Sequence, residues 1–312
     1  MNIQQLEYIV AVDQFKNFSK AADHCYITQA TLSTMIKKLE EELNVVIFDR
    51  KNNPVMTTDE GKGIIAQAVK ILQETYRLKE IAKNNIHEIS GTIKIGIIPT
   101  IANSLLPIVL MPLLKKFPDL MVEMYEITTN NILKQLKEGT IDMGILATPL
   151  ETEDIEEEIL FYETLMVYGA LNNDTQFIIP DDIKKEKIWL LEEGNCLRNQ
   201  VINLCSLRKK ENIPLNLKFD AHSFGTLLNM VDQLGGLTLI PELYYQSLSD
   251  TRKEKVKFFK SPIPVREVSI VFYRPFAKKN TIEAIASEIR SLVQPILMTN
   301  QYKNSELDIV KM

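Results

Sequence analysis

Apolar residues recur along the chain at changing periods, and each change marks a segment. Over the first sixty residues the spacing is helical. Leu6, Ile9, Val10 and Phe15 fall near one face of a helix predicted over Ile3–Phe15. A short second helix is expected from Lys20 to Cys25, capped by Ser19, and a third is capped by Thr28. The apolar stripe of the third is Leu32, Met35, Ile36, Leu39 and Leu43. Ile27 and Leu32 stand at the staple positions around its cap. On the opposite side Gln29, Ser33 and Lys37 recur at steps of four, with Thr31, Thr34 and Lys38 nearby. Small polar and basic side chains of this kind suit base edges and phosphates in a major groove, although a solvated helix face has the same pattern. Two short helices meeting through a tight turn favour a helix-turn-helix. Val45–Arg50 and Lys51–Thr57 then read as two strands around Asn52-Asn53-Pro54, a basic-tipped hairpin.

The period lengthens after the hairpin. Thr57 and Glu60 offer a capping box, and the chain is predicted helical from there to about Asn85. Ile64, Ala68, Ile71, Thr75, Leu78 and Ala82 alternate steps of four and three, the spacing of a coiled-coil seam. A helix packed on its own domain would show much the same pattern. After Gly91 strand and helix patterns alternate. Strands are expected at Thr92–Ile98, Met121–Ile127 and Ile141–Ala147, with helices at Ile101–Phe117 and Thr129–Glu138, the latter stopped by Gly139. A similar unit follows over 163–267, and the chain returns through Val268–Tyr273 and a helix from Lys278 to about Val293. Alternation of this sort implies a parallel sheet with crossover helices.

Composition narrows the classes. A chain of 312 residues with 45% hydrophobic and 25% charged residues is ordinary for a globular protein of two or three domains. Met1–Glu7 has no basic n-region, so no secretory leader is expected, and a cytoplasmic location follows as the expectation. The uncharged run Ile95–Leu114 contains Pro99, Pro107 and Pro112, so strand, turn and helix fit it better than a membrane span. Net charge is −5, and residues 1–60 hold six Lys/Arg against nine Asp/Glu. Any contact with nucleic acid must therefore be local. His24, His87 and His222 are scattered and no metal-ligand spacing occurs, so no metal or cofactor is expected. Cys25 reads as a small core residue, Phe224 as packing, and Glu151–Glu158 as solvated surface.

The remaining chemistry sits in Leu190–Cys205, which holds two of the three cysteines. Asn195 can cap a helix that places Cys196 at its positive end, where the thiolate is favoured, as it is by nearby Arg198. If Cys196 to Cys205 were one helix, their Cα atoms would lie about 13.5 Å apart, whereas a disulfide needs them within roughly 7 Å. A helix and a bond between these cysteines exclude one another. Unlinked core cysteines remain the bland alternative.

Ala21-Ala22, Thr28–Ser33, Ile36–Glu40, Leu43, Phe48, Arg50, Thr57 and Gly61 resemble the winged helix-turn-helix of LysR-type transcriptional regulators, with Ala30 where that family usually has proline. The resemblance implies double-stranded promoter DNA as partner, with Gln29, Thr31, Ser33, Thr34 and Lys37 in the major groove and Arg50 and Lys51 on phosphate. It further implies a dimer or tetramer paired through the long helix, contact with RNA polymerase, and no membrane association. The expected organisation is a winged helix-turn-helix over 1–58 and a linker helix over 59–89. A two-lobed, periplasmic-binding-protein-like α/β sensor follows, lobe I from 90–162 with 268–300 and lobe II from 163–267.

Within that family the chain is most similar to the branch that senses hydrogen peroxide. The shared residues are Cys196-Leu197-Arg198, Gln200, Cys205, Ile98-Pro99-Thr100, Thr129, Ser223, Thr226, Asn229–Val231 and Gly236–Pro241. By that resemblance Cys196 is attacked by peroxide and Cys205 resolves it as a reversible disulfide, with Thr100, Thr129, Asn195 and Arg198 lining the pocket. Asn195 stands where that branch often has histidine, and an acidic residue beyond the arginine is missing, with uncharged Asn199 in that region. Thr100 and Thr129 could equally be helix caps. Two rival readings remain: a regulator that binds a small metabolite between the lobes, its cysteines incidental, and a thiol peroxidase, against which the first sixty residues argue.

Overall fold

Asn2 opens helix α1 (Ile3–Phe15) by accepting the Gln5 N–H, while the Gln5 side chain accepts the Asn2 N–H. This reciprocal cap satisfies two donors that a helix start leaves free. The computed structural model describes residues 1–50, 54–83, 89–150, 152, 154–170, 177–183, 186–191, 196–204, 221, 223–273 and 278–310. The second helix, α2 (Phe18–His24), is capped by Asn17 rather than Ser19: Asn17 Oδ1 accepts the Lys20 N–H at 3.0 Å, and Ser19 already lies inside the first turn. Cys25 follows as the residue that closes α2. Helix α3 (Gln29–Leu43) is capped by Thr28, whose hydroxyl accepts the Thr31 N–H.

Ile9, Val12, Ala21, Leu32, Ile36, Leu39 and Phe48 form one core under the three helices. Each large side chain so buried stabilises by about 1.5–3 kcal/mol. Leu43 leaves the expected stripe and is 37% exposed. The hairpin is shorter than its apolar pattern suggested. Strands β1 (Phe48–Asp49) and β2 (Met56–Thr57) pair antiparallel over two residues each. Before Phe48 the Glu40 carboxylate takes the Ile47 and Phe48 N–H groups, so that stretch bonds to α3 instead of to a ladder. The tip, residues 51–53 with Lys51, lies outside the described residues.

Helix α4 (Asp59–Lys83) is capped by Thr58, not Thr57. Thr58 Oγ1 accepts the Gly61 N–H at 2.9 Å, while the Thr57 hydroxyl donates to Asp13. Gly61 has no substitute: a Cβ there would stand 2.4 Å from the Ile47 carbonyl oxygen. Ile65 and Ala68 join the core and Ile64, Ile71 and Leu72 pack partly against it, whereas Leu78 is 68% exposed. The first half of the expected seam therefore serves its own unit.

A second compact unit holds the remaining elements. Strands β3 (Gly91–Ile97), β4 (Leu120–Glu126) and β5 (Met143–Thr148) alternate with helices α5 (Pro99–Lys116) and α6 (Thr129–Lys137), and β4-β3-β5 is parallel as the alternation predicts. The uncharged run Ile95–Leu114 divides between β3 and α5, and among the described residues no helix is long and apolar enough to cross a membrane. Gly144 lets α6 lie close on the sheet, because a Cβ would meet Ile132 at 2.4 Å.

The chain continues through β6 (Ile155–Gly169), β7 (Phe177–Ile178), α7 (Pro180–Ile183), α8 (Cys196–Leu204), α9 (Phe224–Leu234) and β8 (Leu237–Pro241). It ends with α10 (Glu242–Gln246), α11 (Asp250–Lys253), β9 (Val256–Phe259), β10 (Ile263–Tyr273), α12 (Lys279–Val293) and β11 (Leu307–Ile309). The sheet is not wholly parallel. The long strands β6 and β10 run antiparallel to each other, and β10 is antiparallel to β5. β6 pairs β10 over its first half and β8 and β9 over its second, so one strand serves both halves of the unit. Leu165–Tyr168, Leu197, Val201, Phe224, Leu228 and Leu239 belong to the second core. The end of the acidic run forms the start of β6 and is more structured than a solvated surface: Glu157 accepts the Leu150 N–H and Glu158 pairs with Arg290 at 2.9 Å.

Candidate functional site

Two groups of side chains carry chemistry, one in each unit. In the first, α3 exposes Gln29, Thr31, Thr34 and Lys37, with Ser33 partly buried. Thr31 Oγ1 lies 2.8 Å from Thr28 Oγ1, and the Thr34 hydroxyl donates to the Ala30 carbonyl, which fixes both hydroxyls on the helix surface. Lys37 reaches Glu41 at 3.6 Å, but both are largely exposed and the pair holds neither tightly. Arg50, expected on phosphate, is engaged within the unit. Its guanidinium donates to Ser33 Oγ at 3.1 Å and to Glu40 Oε2 at 2.8 Å, and sits over the Phe18 ring. Glu40 thus binds the start of β1 and the arginine after it, tying the hairpin to α3.

In the second unit α8 begins at Cys196, which places that residue in the first helical turn as expected. The Cys196 side chain, Asn195 and Cys205 lie outside the described residues. Arg198 Nη1 donates to the Leu191 carbonyl at 2.9 Å, holding the helix start to the segment that bridges Ala221. Leu197 and Val201 are buried in the second core, and fully buried Gln200 donates to the Val310 carbonyl at 3.1 Å.

Thr100 and Thr129 are not helix caps. Ile98 precedes α5, making Thr100 its second residue, and Thr128 precedes α6, making Thr129 its first. Both are buried, at 3% and 7% exposure. They stand at the carboxyl ends of neighbouring parallel strands β3 and β4, the edge of an α/β sheet at which ligands bind.

The pattern-based reading missed Arg266. On β10 it donates through Nη2 to the Thr100 carbonyl at 3.1 Å and through Nη1 to Thr100 Oγ1 at 3.4 Å. Its Nε donates to Glu163 Oε1 on β6 at 2.6 Å, and both side chains are buried. Glu163 also accepts the Leu243 N–H of α10 at 3.0 Å. Beside it Glu242 accepts the Thr164 N–H and hydroxyl and the Met298 N–H, and burial raises its carboxyl above the usual range. Nearby Glu267 accepts from Thr148 and Tyr162, and burial together with that carboxylate pushes the Tyr162 phenol up to about 12. The signal available in sequence was the charged pair Arg266-Glu267 inside the apolar run 262–272. A cavity of about 420 Å³ lies along α5, lined by Leu106, Leu110 and Glu126 among others, and none of the expected peroxide-pocket residues lines it. Among the described residues no group of His, Cys, Asp or Glu is arranged to hold a metal.

A winged helix-turn-helix in the same chain as an α/β unit with a site at its strand ends defines a two-part transcription regulator. Residues 3–62 match the bacterial regulatory helix-turn-helix protein, lysR family, and residues 87–293 match the LysR substrate binding domain, so the chain belongs to the LysR family. It is 37% identical over 304 residues to the hydrogen peroxide-inducible genes activator of Haemophilus influenzae, covering 95% of this chain and 99% of that one. It is 35% identical over 299 residues to the DNA-binding transcriptional dual regulator OxyR of Escherichia coli, covering 93% and 95%. A full-length OxyR variant from Pseudomonas aeruginosa superposes with a TM-score of 0.78 at 30% identity, over 93% of this chain and 98% of that one.

Proposed function

We propose that this regulator senses hydrogen peroxide through Cys196 and Cys205 and transmits the change to promoter DNA. The observation that carries the reading is the start of α8 at Cys196, in a chain similar over nearly its full length to activators named for peroxide. A thiolate at a helix N-terminus is stabilised by the dipole and the free N–H groups. Its sulfur attacks one peroxide oxygen, an S–O bond forms, the O–O bond breaks, and the departing hydroxide takes a proton to become water. The Cys205 thiolate then attacks the sulfenic sulfur; the S–S bond forms as the S–O bond breaks, and the departing hydroxide takes a proton to become water. Thr100, Thr129, Asn195 and Arg198 line the peroxide site in this reading, and Arg266 joins them through Thr100.

Described α8 runs from 196 to 204, a rise of about 12 Å. The disulfide therefore requires α8 to unwind, and the refolding shifts a homo-oligomer paired through α4, and with it the DNA-binding heads. In this reading the protein is a cytoplasmic, non-enzymatic regulator that contacts RNA polymerase. Its segments are 1–58 for DNA, 59–89 for the linker, 90–162 with 268–300 for lobe I and 163–267 for lobe II. Mass spectrometry before and after one equivalent of peroxide tests it. Loss of two hydrogens with a peptide linking Cys196 to Cys205 is the expected result. Three free thiols after treatment would overturn it in favour of a metabolite-binding regulator.

A further inference from the structure

The geometry points to a redox-released latch in the C-terminal strand, and we propose that β11 and Val310 hold α8 in its helical form. β11 pairs in parallel with the start of β10, Leu307 opposite Ile263 and Ile309 opposite Val265. The pairing continues one residue further: the Val310 N–H donates to the Val265 carbonyl at 2.9 Å. The Val310 carbonyl is the acceptor for Gln200 Nε2 at 3.1 Å. Val310 is itself only 5% exposed, in the same core cluster as Leu197 and Val201 of α8. One tail residue is thus bonded to β10 on one side and to the middle of α8 on the other.

Leu197, Gln200 and Val201 are spaced at three and four residues, so all three face the core together only while the helix is intact. Gln200 is fully buried and, among the described residues, its Oε1 meets no donor. A half-satisfied buried amide is a weak point, and it lets go when its helix turns. This inference rests on the thiol–disulfide reading above. A Cys196–Cys205 bond cannot coexist with a straight helix over 196–204. Unwinding withdraws Gln200 from the Val310 carbonyl and takes Leu197 and Val201 out of the core cluster that Val310 shares. The tail then keeps only a short ladder on β10, and the main chain of Ile263–Val265 becomes open to exchange. The coupling is reciprocal: a looser tail must favour the disulfide by the factor by which the disulfide loosens the tail.

Hydrogen exchange of the unmodified full-length protein, reduced and after one equivalent of peroxide, reads the latch directly. The expected result is a rise of at least about tenfold in exchange at the Val310 amide, with the disulfide confirmed on the same sample. A disulfide with unchanged protection at 307–310 overturns the latch alone. Absence of the disulfide overturns the latch and the redox reading together. As a second measurement, Val310→Ala equilibrated in a thiol–disulfide buffer should lie several-fold further toward the disulfide than the parent protein, by the same reciprocity. An equilibrium unchanged or moved toward the dithiol overturns the proposal.

Discussion

Arg266 Nε lies 2.6 Å from Glu163 Oε1, and neither side chain is more than 1% exposed. The same guanidinium reaches the carbonyl and hydroxyl of Thr100, so a buried charge pair on the neighbouring antiparallel strands β6 and β10 sits directly behind the start of α5. In the peroxide-sensing reading proposed above, Thr100 Oγ1 accepts from Arg266 and its own proton is left for a bound peroxide.

Removing one partner should be far worse than removing both. Glu163→Ala strands a buried guanidinium and is expected to lower stability by about 3–5 kcal/mol, whereas Glu163→Leu combined with Arg266→Met should come close to the parent. Denaturant midpoints give the stabilities. The double variant should still react more slowly with peroxide, since Thr100 is no longer polarised. Peroxide kinetics equal to those of the parent would remove Arg266 from the site.

On the DNA side, Arg50 and Lys51 should separate. Lys51→Ala is expected to weaken all sequences similarly and reduce the salt slope of binding by about one. Arg50→Ala should weaken binding with little change of slope, because its charge is already matched by Glu40 at 2.8 Å. Ser33→Ala should relax base preference by about 1–3 kcal/mol at one position. Binding isotherms across a salt series on specific and scrambled duplexes distinguish the three outcomes.

What could be read from the sequence follows from how local each signal is. The ends of α1 were legible from its apolar spacing, and the start of α3 because apolar spacing and the Thr28 hydroxyl agree there. Caps were misplaced where two competent residues stand close together, Asn17 and Ser19 or Thr57 and Thr58, since propensity does not say which one is extended. The direction of β6 and β10 was not legible: β6 opens on an acidic, partly exposed stretch that reads as surface, β10 is buried on both faces, and neither pattern encodes parallel or antiparallel pairing. Arg266 and Glu163 lie 103 residues apart, so only the fold brings them together.

The linker helix offers a test that its own seam pattern confuses. Ile71 packs partly against its own unit, so Ile71→Asp should both unfold that unit and split oligomers. Leu78 is 68% exposed and contributes little to the unit itself. Leu78→Asp is therefore expected to leave the melting temperature within about 2 °C while lowering the sedimentation coefficient from that of an oligomer. An unchanged oligomer with Leu78→Asp would place the partner contacts elsewhere.

Cys25 supplies an internal control for the switch. It is partly buried behind α2, and desolvation first, then the Glu7 carboxylate, raises its thiol above the usual range. A raised thiol pKa leaves little thiolate at neutral pH, and the thiolate is the nucleophile. Cys25 should therefore stay reduced under one equivalent of peroxide at pH 7 and begin to react only as the pH rises toward that elevated pKa. Cys196, at the start of α8, carries the opposite expectation: a lowered pKa and reaction already complete at pH 7. Cys196→Ser should leave the protein locked in the reduced form even with Cys25 present. Cys205→Ser should accumulate a sulfenic acid that over-oxidises, having no partner thiol to resolve it, and Arg198→Ala should slow the reaction without abolishing it. Thiol alkylation followed by peptide mapping across a pH series reads each cysteine separately. If Cys25 were oxidised before Cys196 at pH 7, the helix start would confer no selectivity and the Cys196 assignment would fail.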